Sequence, residues 1–171
     1  MFSGRAVILF GTSHKYQYPG NPSESEFQTA VAESSCREPI RAIAEEMNAE
    51  GLAQKRVTHS IGEQVARSLS ILHRYCDPGY AQRQALGIRF EQLIRVDGFS
   101  WNWTEGKITQ AVETSHSIRE QFWQQQLIDL DSWPVLFICG AHHVERFSKL
   151  LRKSGIIVKI AFNDWEPSTR S

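Results

Sequence analysis

The sequence predicts an α/β domain: a mostly parallel sheet of about five strands with helices on both faces. Three observations carry this. Apolar runs at 6–10, 40–44, 71–76, 135–139 and 156–162 are of strand length and rich in β-branched or aromatic residues. Longer stretches with helix start and stop signals lie between them. The two kinds alternate, which implies right-handed crossovers onto a parallel sheet. The 171 residues are read as one domain over 1–171.

The first run, Ala-Val-Ile-Leu-Phe, is apolar throughout, as is the fourth; this suits strands covered on both faces. The second and third are interrupted by Arg41 and Arg74. Ser23-Glu-Ser-Glu26 and Ser60-Ile-Gly-Glu63 both have the form of a capping box. After the second box, Val65, Leu69 and Leu72 recur at helical spacing. One helix is predicted over 80–94. A longer one over 108–129 presents Ile108, Val112, Ile118, Phe122 and Leu127 as its apolar stripe. A last helix containing Leu150 and Leu151 closes on basic residues and Gly155.

Composition excludes several classes. Nineteen basic residues balance nineteen acidic ones, so no bulk field draws the chain to nucleic acid or an anionic membrane. No segment approaches the ~18 apolar residues of a membrane span. The apolar stretch near Met1 is too short for a signal peptide and runs straight into a turn. Cys36, Cys76 and Cys139 are odd in number and far apart, which suits reduced thiols. A cytoplasmic protein is expected.

In parallel sheets, ligands bind beyond the carboxyl ends of the strands. Polar residues stand at those ends here: Gly11-Thr-Ser-His14, Glu45-Glu46-Met-Asn48, Asp77-Pro78 and Gly140-Ala-His-His143. In each Gly-x-x-His, glycine is expected to let the chain turn off the sheet and the imidazole to point back across it. Two imidazoles and a carboxylate can hold a divalent metal ion. They can equally serve as a base and acid pair with an orienting carboxylate. His14, Glu45, Glu46 and His143 are the candidate metal ligands, and Gly11, Gly140 and Asp77 the candidate ligand-binding positions. Arg119 could bring a fixed cation over the same crevice. Both motif imidazoles are expected on an open crevice, where replacement by Ala costs about half a kcal/mol of stability.

Other residues read as structural. His142 adjoins His143, and adjacent side chains seldom face one site. His73 lies in an apolar run and suits a local hydrogen bond, while His59 and His116 read as solvated. Cys76 reads as a buried thiol rather than a nucleophile, and Trp101 and Trp103 as aromatics packed under a loop. No P-loop is present, and no G-x-G-x-x-G follows the first strand.

The order strand–GTSH, a strand ending in Glu-Glu-Met-Asn, a helix with Arg119, strand–GAHH and a last Gly-Ile-x-Val strand resembles the TraB/Tiki, erythromycin-esterase and ChaN superfamily. Members share two Gly-x-x-His motifs, an acidic residue after the second strand and a helical arginine. The resemblance touches most of the chain through short motifs. It implies a hydrolytic or metal-binding site at His14, one of Glu45 or Glu46, Arg119 and His143. Tiki members are described as metal-dependent proteases, the esterases open a macrolide lactone, and ChaN members bind haem iron. This chain is much shorter than those relatives, and Glu-Gln-Phe-Trp follows Arg119 in place of their usual Asn and Met pattern.

The sequence therefore favours a metal-assisted or histidine-based hydrolase of a small-molecule or peptide substrate. In it, His14 is base or ligand, Glu46 ligand or base, Arg119 the stabiliser of negative charge and His143 ligand or acid. The alternative is a non-catalytic small-anion or nucleotide-binding sensor, or a partner subunit, using the same crevice. Neither nucleic acid nor a membrane is an expected partner; self-association and a partner subunit both stay open.

Overall fold

In the computed structural model, which describes residues 4–168, five parallel strands form one sheet in the order β3-β2-β4-β1-β5. Met1, Phe2 and Ser3 of the N-terminal stretch lie outside the described residues. The strands are β1 (Ala6–Thr12), β2 (Ala42–Glu45), β3 (Leu72–Tyr75), β4 (Val135–Gly140) and β5 (Ile157–Trp165). The helices are α1 (Glu24–Arg37), α2 (Ala49–Gln54), α3 (Ile61–Ser68), α4 (Tyr80–Leu86), α5 (Glu91–Ser100), α6 (Glu105–Leu130) and α7 (Val144–Lys153). Single 3-10 turns, His14–Tyr16 and Ala141–His143, follow β1 and β4.

Side chains alternate between the two faces of the sheet. Val7, Leu9, Ala44, Val135 and Phe137 pack against Trp123, Leu127, Phe147 and Leu151 of α6 and α7. Ile8, Phe10, Ile43, Leu136 and Ile138 pack against Phe27, Val31, Ile61 and Val65 of α1 and α3. Double coverage explains why β1 and β4 are apolar throughout. It also places the functional crevice. β4 lies between β2 and β1, so the chain leaving β1 enters a helix on one face and the chain leaving β4 enters one on the other. Such a divergence opens a gap at the carboxyl ends of the two strands.

Several helix boundaries differ from those expected. The helix predicted over 80–94 is two, broken at Gly87, whose φ of +71° lies in the left-handed region that glycine tolerates. Leu72 opens β3 rather than continuing α3. Ser60 caps α3 through the Glu63 N–H at 3.0 Å, but the Glu63 carboxylate reaches Tyr75 and Arg67 instead of returning to Ser60. Ser23 makes no side-chain cap bond. On α6 the stripe turns inward through Ile108, Val112, Trp123 and Leu127, leaving Ile118 and Phe122 half-buried. Trp101 does not pack under a loop; it is 73% exposed, beside exposed Val96 and Phe99 of α5. Among the described residues, no helix is long and apolar enough to cross a membrane.

The two motif glycines are needed for space rather than for a turn. Gly140 has φ −59°, which any residue adopts. A Cβ on Gly11 would lie 2.0 Å from the Asn163 carbonyl oxygen and 2.5 Å from Val144 Cγ2, so β5 could not close against β1. Gly11→Ala is expected to lower stability by about 1–3 kcal/mol or more. Gly106→Ala, on α6 where a Cβ meets nothing within 4 Å, should instead be neutral or stabilising. Thermal unfolding of the two variants side by side checks both signs.

Candidate active site

Glu45 and Glu46 are consecutive on extended backbone, so their side chains leave opposite faces of the sheet. Glu45 follows Ile43 towards α3. There Ser60 Oγ donates to its Oε1, and His73 Nε2 lies 2.8 Å from the same oxygen. A Cβ on Gly62 would sit 2.6 Å from this carboxylate, so α3 seals it in. Glu45 therefore leaves the set of candidate metal ligands, because the crevice opens on the other side of the strand. His73 makes the local contact expected of it.

Glu46 follows Ala44 to the α6 face and is fully buried at the crevice floor. Its backbone N–H continues the ladder to the Ile138 carbonyl at 2.8 Å, which fixes its height. Its Oε2 accepts the Gly140 N–H at 2.7 Å. Its Oε1 is the common neighbour of three groups: Arg119 Nη1 at 2.8 Å, His14 Nε2 at 3.3 Å and His143 Nε2 at 3.6 Å. Burial alone would raise the carboxyl pKa. Arg119, His14 and His143 outweigh it and hold Glu46 far below the usual carboxylate range.

His14 sits in the turn after β1, with 41% of its side chain exposed to the crevice. Burial pulls its pKa down, but the Glu46 contact overrides this and leaves it raised. Its Nδ1 lies 3.2 Å from the buried Gln17 amide nitrogen, which steadies the ring. Gln17 is itself anchored, its carbonyl accepting the Ile61 N–H at 3.0 Å.

Arg119 arrives from α6 with both ends of its fork occupied. Nε donates to Asp77 Oδ1 at 2.6 Å while Nη1 lies on Glu46, and the guanidinium rests 4.9 Å from the Trp123 ring centre. Asp77 works from beneath. Its Oδ1 also accepts the Trp123 indole N–H at 3.0 Å, and its Oδ2 receives Arg83 and the Asn48 amide. Asp77 thus aims Arg119 with both of its oxygens already occupied.

His143 is buried, contrary to the open position expected of it. Its Nδ1 lies 2.6 Å from Glu120 Oε1, and Arg146 grips both oxygens of the same carboxylate. Burial raises the Glu120 pKa, but His143 and Arg146 outweigh it and leave it lowered; an ionised carboxylate only accepts, so the ring proton is on Nδ1. His143 Nε2 then has no hydrogen-bond partner. Removing this ring would leave Glu120 and Arg146 disturbed, so the small stability cost expected of an exposed histidine applies to His14 alone.

The crevice has a volume of about 850 Å3 and is lined by His14, Tyr18, Glu46, Asn48, Asp77 and Arg119 among others. A second pocket of about 320 Å3 lies across Arg119 and is lined by His116 and His142. His116 is not the solvated residue expected, since it is half-buried, and exposed His142 does share a cluster with its neighbour His143. His116 and His142 stack near His143, with ring centres 4.9 and 4.0 Å from it. Burial, then His143 and Arg146, pushes His116 down to about 4. Burial pushes the Cys76 thiol up to about 12, which removes it as a nucleophile.

Glu120, Arg146 and Gln17 are the residues that sequence reasoning missed. His116, Arg119, Glu120 and Trp123 fall at i, i+3, i+4 and i+7 of α6, one helical face, and that spacing was the available signal.

Glu46→Gln is expected to move the His14 titration to lower pH, because burial remains while the raising contact goes. The His14–Glu46 contact favours protonated His14, so its contribution to stability is full below the ordinary value of 6.5 and is lost as pH rises through the raised folded value. Imidazole NMR titrations of the two proteins measure the shift; an unchanged midpoint would contradict it. The chain matches no family model, no curated protein and no solved structure, so its likeness to the TraB/Tiki, erythromycin-esterase and ChaN superfamily rests on the motifs alone.

Proposed function

We propose that the crevice hydrolyses a carboxylic acid derivative, an ester, lactone or peptide, by histidine-based activation of water. The observation that carries this reading is the single oxygen, Glu46 Oε1, around which His14, His143 and Arg119 converge.

His14 is the exposed member and the general base. It takes the proton of a crevice water on Nδ1 in place of the Gln17 amide contact as that water attacks the substrate carbonyl, and Glu46, beside Nε2, stabilises the imidazolium formed. Arg119, aimed by Asp77 and Trp123, faces the same crevice and stabilises the oxyanion. The proton then returns from His14 to the leaving group. His143, held by Glu120, supports Glu46 from behind and is a positioning residue.

The family resemblance also allows a divalent metal ion at His14, Glu46 and His143. The donor set does not fit one. Arg119 lies on Glu46 Oε1 and the Gly140 N–H occupies Oε2, so the carboxylate's charge is already compensated. A dication on the same oxygen would stand directly against the guanidinium. No step is assigned to a metal there.

With p-nitrophenyl acetate as the probe, His14→Ala is expected to lower hydrolysis by about 10²–10⁴-fold. Stability should change by only about half a kcal/mol, as at other partly exposed positions. Arg119→Lys keeps the charge but loses the planar fork shared between Asp77 and Glu46, and is expected to cost about 10²–10³-fold. Wild-type hydrolysis no faster than that of His14→Ala would overturn the reading.

A further inference from the structure

We propose that His116, His142 and His143 form a binding site for a borderline divalent cation of the Zn²⁺ type, across Arg119 from the His14–Glu46 crevice and meeting it at His143. One ring nitrogen from each lies within 4.8 Å of those of the other two. Three imidazoles are a donor set for such ions, whereas Mg²⁺ and Ca²⁺ require oxygen.

Two further observations point to a ligand. His143 Nε2 is buried with no hydrogen-bond partner, which is costly for a ring nitrogen unless something binds it. The other nitrogen of that ring is held by Glu120 at 2.6 Å, the carboxylate–histidine arrangement that orients metal-ligating imidazoles and fixes their tautomer. Local charge does not forbid a cation. Arg146 is neutralised by Glu120, and Arg119 by Glu46 and Asp77, while Glu91 stands 4.0 Å from His116. His116 and His142 also line the pocket of about 320 Å3, so an ion with three protein nitrogens would keep an open position facing that pocket. An open position marks a site that takes a ligand rather than a closed structural one.

The fold accounts for the convergence. The 3-10 turn after Gly140 lets consecutive His142 and His143 lie with ring centres 4.0 Å apart, and α6 brings His116 over both, one turn before Glu120.

The test is calorimetric titration of metal-free protein with Zn²⁺, paired with visible absorption on adding Co²⁺. Saturation at a single equivalent is expected. Glu120→Gln should weaken binding by about 10–100-fold, and His116→Ala and His142→Ala by more. His143 is buried and holds Glu120, so the two outer histidines carry the test. His14→Ala should leave metal affinity unchanged. Flat titrations, or uptake that survives both His116→Ala and His142→Ala, would overturn this site and leave the hydrolase reading standing. Uptake abolished by His14→Ala would overturn it too, by placing the ion in the crevice.

Discussion

The structure depends on one buried carboxylate. Glu46 sits at the carboxyl end of β2 and binds, through its two oxygens, the backbone of β4, the turn after β1 and the middle of α6. An isolated charge there would be far too costly to bury. The guanidinium of Arg119 and the Gly140 N–H make it tolerable, and in return they are held in place. Gly140 is glycine because a Cβ would crowd the His142 ring at 3.0 Å and Glu46 Oε2 at 3.3 Å.

From Glu46 the network spreads in two directions. Towards β3 it runs through Arg119 to Asp77, Trp123, Arg83 and Asn48, tying the long helix to the strand end beneath it. Towards α7 it runs through His143 to Glu120 and Arg146. Most of these groups are buried and have formed partners. The exposed member is His14, where the network meets the crevice, and His143 Nε2 is buried without a hydrogen-bond partner beside the two histidines that line the second pocket. Chemistry is expected at those two places because the first opens to solvent and the second leaves a buried ring nitrogen unpartnered.

Much of this was legible in the sequence. All five strands were, because each is a short apolar run and the sheet is covered on both faces. So was the gathering of His14, Glu46, Asp77 and His143, since strand ends of a parallel sheet share one edge. The choice between Glu45 and Glu46 was not, because it depends on register and a one-residue slip exchanges the faces. Nor was the histidine cluster. It depends on which face of a 26-residue helix turns inward, and on that helix Glu120 interrupts the buried stripe while half-buried Phe122 imitates it. The break at Gly87 was hidden because a lone glycine is also tolerated inside helices.

The central claim is that Glu46 is ionised and serves as the shared negative charge of the site. Carbon-13 NMR titration of its side-chain carboxyl measures this directly. The account predicts that Glu46 stays ionised as pH falls, showing no protonation step of its own before acid unfolding begins. A midpoint near the ordinary glutamate value of 4.5 in the folded protein would contradict it, and with it the arrangement of His14, Arg119 and His143 around that oxygen.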